Sequence, residues 1–556
     1  HTKIYVNYTY LQYPDAALAT LGVDVSLNDY TYKASDAFGK EKDIWATNKG
    51  TSYNSIVKSP YFKAKITGRV NGSENITTSE IPVYGATVYV GESAQGAIHS
   101  FSEVYIKKGE ATSFEIEITG NTGYITINNA VILPASAGET ATVTNGTVKA
   151  VVSGYGTHTF LFNDENQAYA YTINVREDID EDAEIQKLRD DDYTVYVVGD
   201  KSKGDDYDSY INDIENIPFV SEQKIAIYLR KGSVLVAPHK YNINNQADED
   251  GYSENANSGI GQNRWGFINT NGVTDFKVLG YGAIDLGHLD RSERRGIIIA
   301  DSNNVEFRGI KIINSPQWTF VVYDSDNVHI KDVDVLGYRQ NSDAFDICNS
   351  RDVIVEGCFA RTGDDGFVVK TLGGDENVVT NNVTVRNCYA WIGKARAFGI
   401  FGETFKNISN VYFEDNVVLF HDATWNYLRI PAIGVVIEDY AENSGTDTYR
   451  RRLSNIVFDG IEICRNEAAA MHCIIYDGVN NYTIDGIKFK NISYEKLNEM
   501  EGGKALNVIN KFSAGAEIET NAVVENIVCG GTRVTLDNYG QYFDYNTLHY
   551  CNGVIK

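Results

Sequence analysis

Through the second half of the chain, polar and β-branched residues recur in one phrase: a Ser/Asn/Asp turn, then a short run that is apolar at every second position. The phrase stands at 302–307 (Ser-Asn-Asn-Val-Glu-Phe), 325–330 (Ser-Asp-Asn-Val-His-Ile), 350–355 (Ser-Arg-Asp-Val-Ile-Val), 380–385 (Thr-Asn-Asn-Val-Thr-Val), 408–413 (Ile-Ser-Asn-Val-Tyr-Phe) and 453–458 (Leu-Ser-Asn-Ile-Val-Phe). Anchored on Val305, Val328, Val353, Val383, Val411 and Ile456, it advances by 23, 25, 30, 28 and 45 residues. Period-two alternation marks a half-buried strand. A strand that returns behind the same turn every twenty-odd residues predicts the coils of a parallel β-helix, with insertions where the step lengthens.

The first ~185 residues lack this phrase. Short alternating runs there predict strands at 83–90, Phe114–Ile118, Tyr124–Ile127, Thr147–Val152, His158–Phe162 and Ala168–Val175, with turns such as Asn71-Gly and Asn145-Gly between them. Strands of that length and spacing suggest an antiparallel sandwich. The acidic run 176–184 reads as a linker or domain edge, and a solvated segment is favoured over a metal site. The expected fold is therefore all-β: a right-handed parallel β-helix (186–556) preceded by an N-terminal antiparallel β-sandwich (1–185). Strand-rich sequence resumes at Asp192-Tyr-Thr-Val-Tyr-Val-Val and at Lys224-Ile-Ala-Ile-Tyr-Leu-Arg. Residues 243–265 form a long polar loop of the functional kind, and the coils run on from Val273, interrupted at 421–452.

Composition narrows the partners. At 556 residues the chain is long enough for two large cores, and Tyr (37) and Phe (23) far outnumber Met (2) and Pro (8), as β structure favours. A formal charge of −26 repels nucleic acids and anionic membranes and weighs mildly against a polyanionic substrate. No run of eighteen apolar residues is present to span a bilayer. A start at His1 without a signal peptide fits a mature secreted or extracellular form, or a periplasmic one in a bacterium. The seven cysteines contain no CxxC. Cys358 and Cys388 follow the same strand phrase, so they read as buried stack members rather than a disulfide framework. Asn-x-Ser/Thr sequons at Asn7, Asn71, Asn75, Asn145, Asn382, Asn407, Asn481 and Asn491 are what an Asn-rich β protein produces by chance.

The candidate chemistry comes from a second repeat. Trp318-Thr-Phe-Val-Val, Asp343-Ala-Phe-Asp-Ile, Asp365-Gly-Phe-Val-Val and Arg396-Ala-Phe-Gly-Ile are each about one coil apart. Equivalent positions on adjacent coils lie about 4.8 Å apart. Phe320, Phe345, Phe367 and Phe398 are thus expected to stack internally, while Trp318, Asp343, Asp365 and Arg396 form a column at one bend with Asp364 beside it. Carboxyls so crowded cannot all ionise freely, and at least one pKa should rise. A raised acid beside ionised carboxylates suits glycoside hydrolysis: Asp364 donates a proton to the glycosidic oxygen, and Asp343 and Asp365 hold and deprotonate water. Lys370 and Arg396 are placed to hold sugar hydroxyls or carboxylates, Arg396 serving equally as a counter-ion to the aspartates, and Trp318 to stack on a pyranose face. Asp346 faces outward, as a binding or a merely solvated residue. The competing view of any single Asp is a turn cap.

At these residues the chain resembles the clan of the polygalacturonases (glycoside hydrolase family 28) and of the dextranases and isopullulanase (family 49). Gly282-Ala-Ile-Asp285, Asn314-Ser-Pro-Gln-Trp318, Asn341-Ser-Asp343 and Gly363-Asp-Asp365 through Lys370 are similar to the polygalacturonase series in order and spacing. The resemblance, over roughly residues 270–400, implies Asp364 as general acid and Asp343 and Asp365 as the carboxylates that activate water. Two features depart from family 28. Its Gly-His-Gly is here Ala397-Phe398-Gly399, and Arg429-Ile430-Pro431 is a poor counterpart of its Arg-Ile-Lys. Family 49 lacks that histidine, uses three aspartates and carries an N-terminal sandwich, so the resemblance leans to a family 49-like inverting enzyme on an α-glucan, with no metal or cofactor. The rivals are a polygalacturonase-like hydrolase, a Ca²⁺-dependent polysaccharide lyase with Arg396 as base, and a glycan-binding β-helix without turnover. In each the partner is a polysaccharide or oligosaccharide. Inversion predicts carboxyl groups roughly 6.5–9.5 Å apart.

Overall fold

The computed structural model describes residues 3–6, most of 56–199, 224–236 and most of 266–544. The 243–265 loop, the sequons at Asn7, Asn71 and Asn75, the Asn71-Gly turn and Cys551 lie outside the described residues.

The repeated phrase forms the coils. Strands Asn303–Arg308, Asp326–Lys331, Arg351–Glu356, Val379–Arg386, Asn407–Glu414 and Arg451–Asp459 are parallel neighbours in one 21-stranded sheet. Val305 pairs with Val328, Val328 with Val353, Val353 with Val383, Val383 with Val411 and Val411 with Ile456. The residue before each anchor, Asn304, Asn327, Asp352, Asn382, Asn410 and Asn455, has φ of 52–56°. Asn and Asp tolerate this left-handed turn at low cost, which explains the polar half of the phrase. Their side chains also form a ladder: Asn410 Nδ2 donates to Asn381 Oδ1 (2.8 Å) and Asn455 Nδ2 to Asn410 Oδ1 (2.8 Å). Buried serines add a parallel rung, Ser302 N donating to Ser325 Oγ (3.0 Å) and Ser325 N to Ser350 Oγ (3.1 Å).

Three strips of strand thus wind into a right-handed parallel β-helix, two within the 21-stranded sheet and one in a ten-stranded sheet. The helix begins before Val273. Tyr193–Val198 and Lys224–Leu229 already pair in parallel, and Ile225 precedes Phe276 in the anchor column. The expected phenylalanine stack is present, with centroids 5.8, 4.8 and 4.9 Å apart along Phe320, Phe345, Phe367 and Phe398. Cys358 and Cys388 are buried in the stack, and Cys348, Cys464, Cys473 and Cys529 are buried as well.

A second bend ends each anchor strand at Gly309, Asp332, Gly357, Asn387, Asp415 or Gly460, again with positive φ. At Gly357 (φ 65°) a Cβ would also lie 2.4 Å from Asp332 Oδ1. Gly357→Ala should therefore cost about 1–3 kcal/mol in chemical unfolding; an unchanged midpoint would refute the strain.

The N-terminal region folds as two packed sheets. One has five antiparallel strands (Ser79–Ile81, Phe62–Arg69, Phe114–Gly120, Thr147–Val152, Ala141–Thr144). The other has six, antiparallel except where Ala170–Glu177 runs parallel to Gln95–Ile106. Tyr124–Ile127 is not a strand. Ile125 and Ile127 are buried in alternation, but the backbone bonds to side chains instead of a neighbouring strand: Asn163 Nδ2 donates to Thr126 O (2.8 Å) and Asn128 N to Asn163 Oδ1 (2.8 Å).

The acidic run is not a linker either. Its first residues complete strand Ala170–Glu177, and the rest open the helix Glu181–Asp190. Asp180 caps that helix by accepting from Ala183 N (3.1 Å), and Glu181, Asp182 and Glu184 sit in the first turn, where negative charge meets the helix's positive end. Ile185 and Leu188 then pack against Val197, Ala226, Tyr228 and Leu279 of the β-helix.

The sandwich docks on the strip of the β-helix that carries Ile313, Leu336, Phe359, Trp391 and Leu419, burying Ala86, Phe101, Leu133 and Leu161 against it. Beside this apolar patch lies a buried ionic cluster. Arg176 binds Asp334 (2.7 Å) and Asp332 (3.1 Å), Lys311 binds Glu103 (2.7 Å) and Asp334 (2.8 Å), and Asn174 donates to Asp334 (2.8 Å). The 421–452 interruption hides one more coil strand, Ile433–Ile437, and Arg451 at its far end is buried at the start of a strand.

Candidate active site

The seven side chains singled out in the sequence meet on the outward side of the ten-stranded sheet. The column is held in step by the backbone: Thr319 N donates to Asp343 O (2.8 Å), Ala344 N to Asp365 O (2.8 Å) and Gly366 N to Arg396 O (2.7 Å). Because the stacked phenylalanines point inward, Asp346, one residue beyond Phe345, points outward, and Lys370, three beyond Phe367, does the same.

One carboxyl oxygen from each of Asp343, Asp364 and Asp365 lies within 4.8 Å of the others. Asp364 is the partly exposed member; Asp343 and Asp365 are buried. Backbone groups aim Asp364, whose Oδ1 accepts from Asp365 N (3.0 Å) and Oδ2 from Asn341 N (3.1 Å). Burial, then the charges of Asp343 and Asp365, push its pKa up to about 8. Burial likewise raises Asp343 to about 6, against the pull of Lys370. Asp365 accepts three hydrogen bonds from Arg396, from N (3.0 Å), Nε (2.7 Å) and Nη2 (2.8 Å), which occupy both of its oxygens.

Lys370 and Arg396 are each shared among carboxylates. Lys370 Nζ lies 2.8 Å from Asp346, 3.1 Å from Asp343 and 3.3 Å from Glu403. Arg396 bridges Asp365 to Glu438 (2.6 Å), and Glu438 also meets Arg429 (3.3 Å). Lys370 and Arg396 are therefore counter-ions first. Asp346 is fully buried under Lys370, with its pKa raised by that burial, so it is neither solvated nor open to a ligand.

Trp318 is also engaged. Lys370 Nζ stands 3.8 Å and Arg295 Cζ 4.6 Å from the centre of its ring. Arg295 comes from the preceding coil and Lys370 from a following one, so the indole is flanked along the helix axis by two cations. The ring thus already meets two cations, contacts the sequence did not suggest.

Sequence reasoning missed Arg295, Glu403, Glu438 and His421. Arg295 could have been read from the column, one coil before Trp318. Glu438 ends the strand hidden in the interruption, and Glu403 follows a register shift after Val369. At the position of the family 28 histidine, Phe398 is core. A different imidazole, that of His421, packs behind the site. Its Nε2 donates to Ala395 O (2.8 Å), next to Arg396, and burial lowers its pKa to about 4, so it is neutral there.

The 4.8 Å limit is between nearest oxygens, one from each carboxyl, whereas the separation expected for inversion is between whole carboxyl groups. Three such oxygens can also chelate a hard cation such as Ca²⁺, although a carboxyl raised to about 8 is better suited to carrying a proton.

Fold and site together define a class: a parallel β-helix with a carboxyl cluster on its outer face, similar to the clan that contains the polygalacturonases and the dextranases. Within it, residues 266–494 match glycosyl hydrolases family 28. A polygalacturonase of Chamaecyparis obtusa is 24% identical over 247 residues, 40% of this chain and 44% of that protein. An isopullulanase of Aspergillus niger is 24% identical over 260 residues, 44% of this chain and 43% of that protein. The matches thus span less than half the length of either relative. Among solved structures, Dex49A from Penicillium minioluteum superposes with a TM-score of 0.57 at 12% identity, over 90% of this chain and 95% of that one, a likeness of fold.

Proposed function

We propose that this chain is a secreted glycoside hydrolase that cleaves α-glycosidic bonds of a neutral α-glucan without a metal or cofactor. The observation that carries the reading is the carboxyl trio, in which the one partly exposed member, Asp364, has its pKa raised to about 8. Asp364 protonates the leaving glycosidic oxygen. Asp343 and Asp365 accept hydrogen bonds from a water and take its proton as it attacks the anomeric carbon. Trp318, Lys370 and Arg396 hold the trio in shape, and Asp346 anchors Lys370 from beneath. The neutral substrate is supported by Lys370 and Arg396, which are already engaged by Asp343, Asp346, Asp365, Glu403 and Glu438. The same pairing disfavours a lyase, because an arginine locked between Asp365 and Glu438 is a poor base.

Two acceptor groups facing one acid suit a held water and inversion. The close approach of the nearest oxygens admits a second reading, retention, with Asp343 as the nucleophile. Proton NMR of the first product formed from dextran, pullulan, polygalacturonate and galactans, with and without EDTA, tests both readings. An inverted anomer from an α-glucan, unaffected by EDTA, is expected. A retained anomer would transfer the mechanism to the nucleophile reading, and cleavage of polygalacturonate alone would overturn the substrate. On the active polymer, kcat/KM should rise as Asp343 loses its proton near pH 6 and fall as Asp364 loses its own near pH 8. A profile that keeps rising above pH 8 would remove Asp364 as the acid.

A further inference from the structure

We infer that Glu438 and Glu403 are specificity-determining residues that exclude acidic sugars by occupying the cations at the rim of the site; this rests on the neutral-glucan reading above. Two parallel clamps carry the argument. In one, Arg429, Glu438, Arg396 and Asp365 form a chain of alternating charge, with contacts of 3.3, 2.6 and 2.7 Å. In the other, Glu403, Lys370 and Asp343 do the same, with contacts of 3.3 and 3.1 Å. The inner ends of both clamps are carboxyls of the trio, and the outer ends are partly exposed: the side chains of Glu403 and Arg429 are 31% and 29% exposed.

An incoming uronate carboxylate would have to compete with Glu438 for Arg429 and with Glu403 for Lys370. Each of these contests brings two negative charges onto one cation. At a partly buried rim, like charges a few ångströms apart repel and disfavour binding. A neutral sugar pays no such charge penalty. Glu438 is buried and its pKa is raised, first by that burial and against the pull of Arg396 and Arg429. Its replacement by glutamine keeps the shape while releasing Arg429.

The test is equilibrium binding of three trisaccharides, trigalacturonate and the neutral isomaltotriose and maltotriose, to the full chain and its variants by calorimetry at low and high salt. Wild type should bind a neutral trisaccharide and reject trigalacturonate. Glu438→Gln should gain trigalacturonate affinity by about 10-fold or more, and high salt should erase that gain. Affinity for the neutral sugars should stay within about 3-fold, whereas a merely loosened site would weaken them all. Adding Arg429→Gln to Glu438→Gln should abolish the gain. Glu403→Gln, on the more exposed rim, supplies the same reading if Glu438→Gln fails to fold. Absence of a trigalacturonate gain in whichever variants fold overturns the inference while leaving the neutral-glucan reading intact. Wild type binding trigalacturonate more tightly than both neutral sugars overturns that reading and the inference with it.

Discussion

Asp364→Asn is expected to lower kcat by about a hundred- to ten-thousand-fold on the active polymer while leaving the fold unchanged, the usual worth of a positioned proton donor. Asparagine keeps the shape and one acceptor oxygen, enough for one of the two N–H groups of Asn341 and Asp365 that Asp364 meets through separate oxygens, but it has no acidic proton to give. The same variant should become more stable than wild type in alkali. The folded pKa of Asp364, about 8, lies above its ordinary 3.8, so the fold favours the protonated form. Its contribution to stability is full below pH 3.8 and is lost as pH rises through about 8. The neutral amide escapes that loss. Thermal melts of the two proteins should therefore run close together below about pH 4, separate progressively between about pH 4 and 8, and keep that gap above, with the variant higher by a few degrees. Near-wild-type turnover would strike Asp364 from the mechanism. Parallel melts at every pH would mean that its carboxyl is not strained by Asp343 and Asp365.

Asp334→Ala is expected to destabilise the protein by about 3–5 kcal/mol, the cost of leaving buried cations without their partner. Asp334 is the shared hub where the sandwich meets the β-helix, binding Arg176, Lys311 and Asn174 at 2.7–2.8 Å. Removing it leaves Arg176 with Asp332 and Lys311 with Glu103, both in a buried setting. Chemical unfolding of the full chain measures the loss. A change under about 1 kcal/mol would show that water reaches the cluster and screens it as at a surface. A set of apolar replacements for the whole cluster, matched in volume, should cost much less than the single truncation.

Much of this architecture was written in local chemistry. Each Asn or Asp that takes the left-handed turn sits one residue before a β-branched anchor, so the coil register was legible from Val305 to Ile456. The trio was legible for the same reason: Phe320, Phe345, Phe367 and Phe398 fixed the phase of the column they follow. What escaped were partnerships made across coils without a repeated phrase. Glu438 lies inside the 45-residue step between the phrases anchored at Val411 and Ile456, and Glu403 lies past a register shift. The side chain of Trp318 matched a sugar platform in type, but its contacts with Arg295 and Lys370 emerge only in the structure. In the sandwich, Ile125 and Ile127 carried the burial period of a strand without a strand to pair with. The acidic run 176–184 looked like a solvated spacer because the benefit of acids in a helix's first turn depends on the helix that follows.

The asparagine ladder has an evolutionary corollary. Because every coil sets its own phase at its own turn, Val411 still pairs with Ile456 across the longest of the steps, 45 residues, as faithfully as Val305 pairs with Val328 across 23. Loop length and strand phase are thereby uncoupled. A descendant of this chain can exchange, lengthen or shed the loops that border the opening and acquire a new diet, while the acids beneath keep their places.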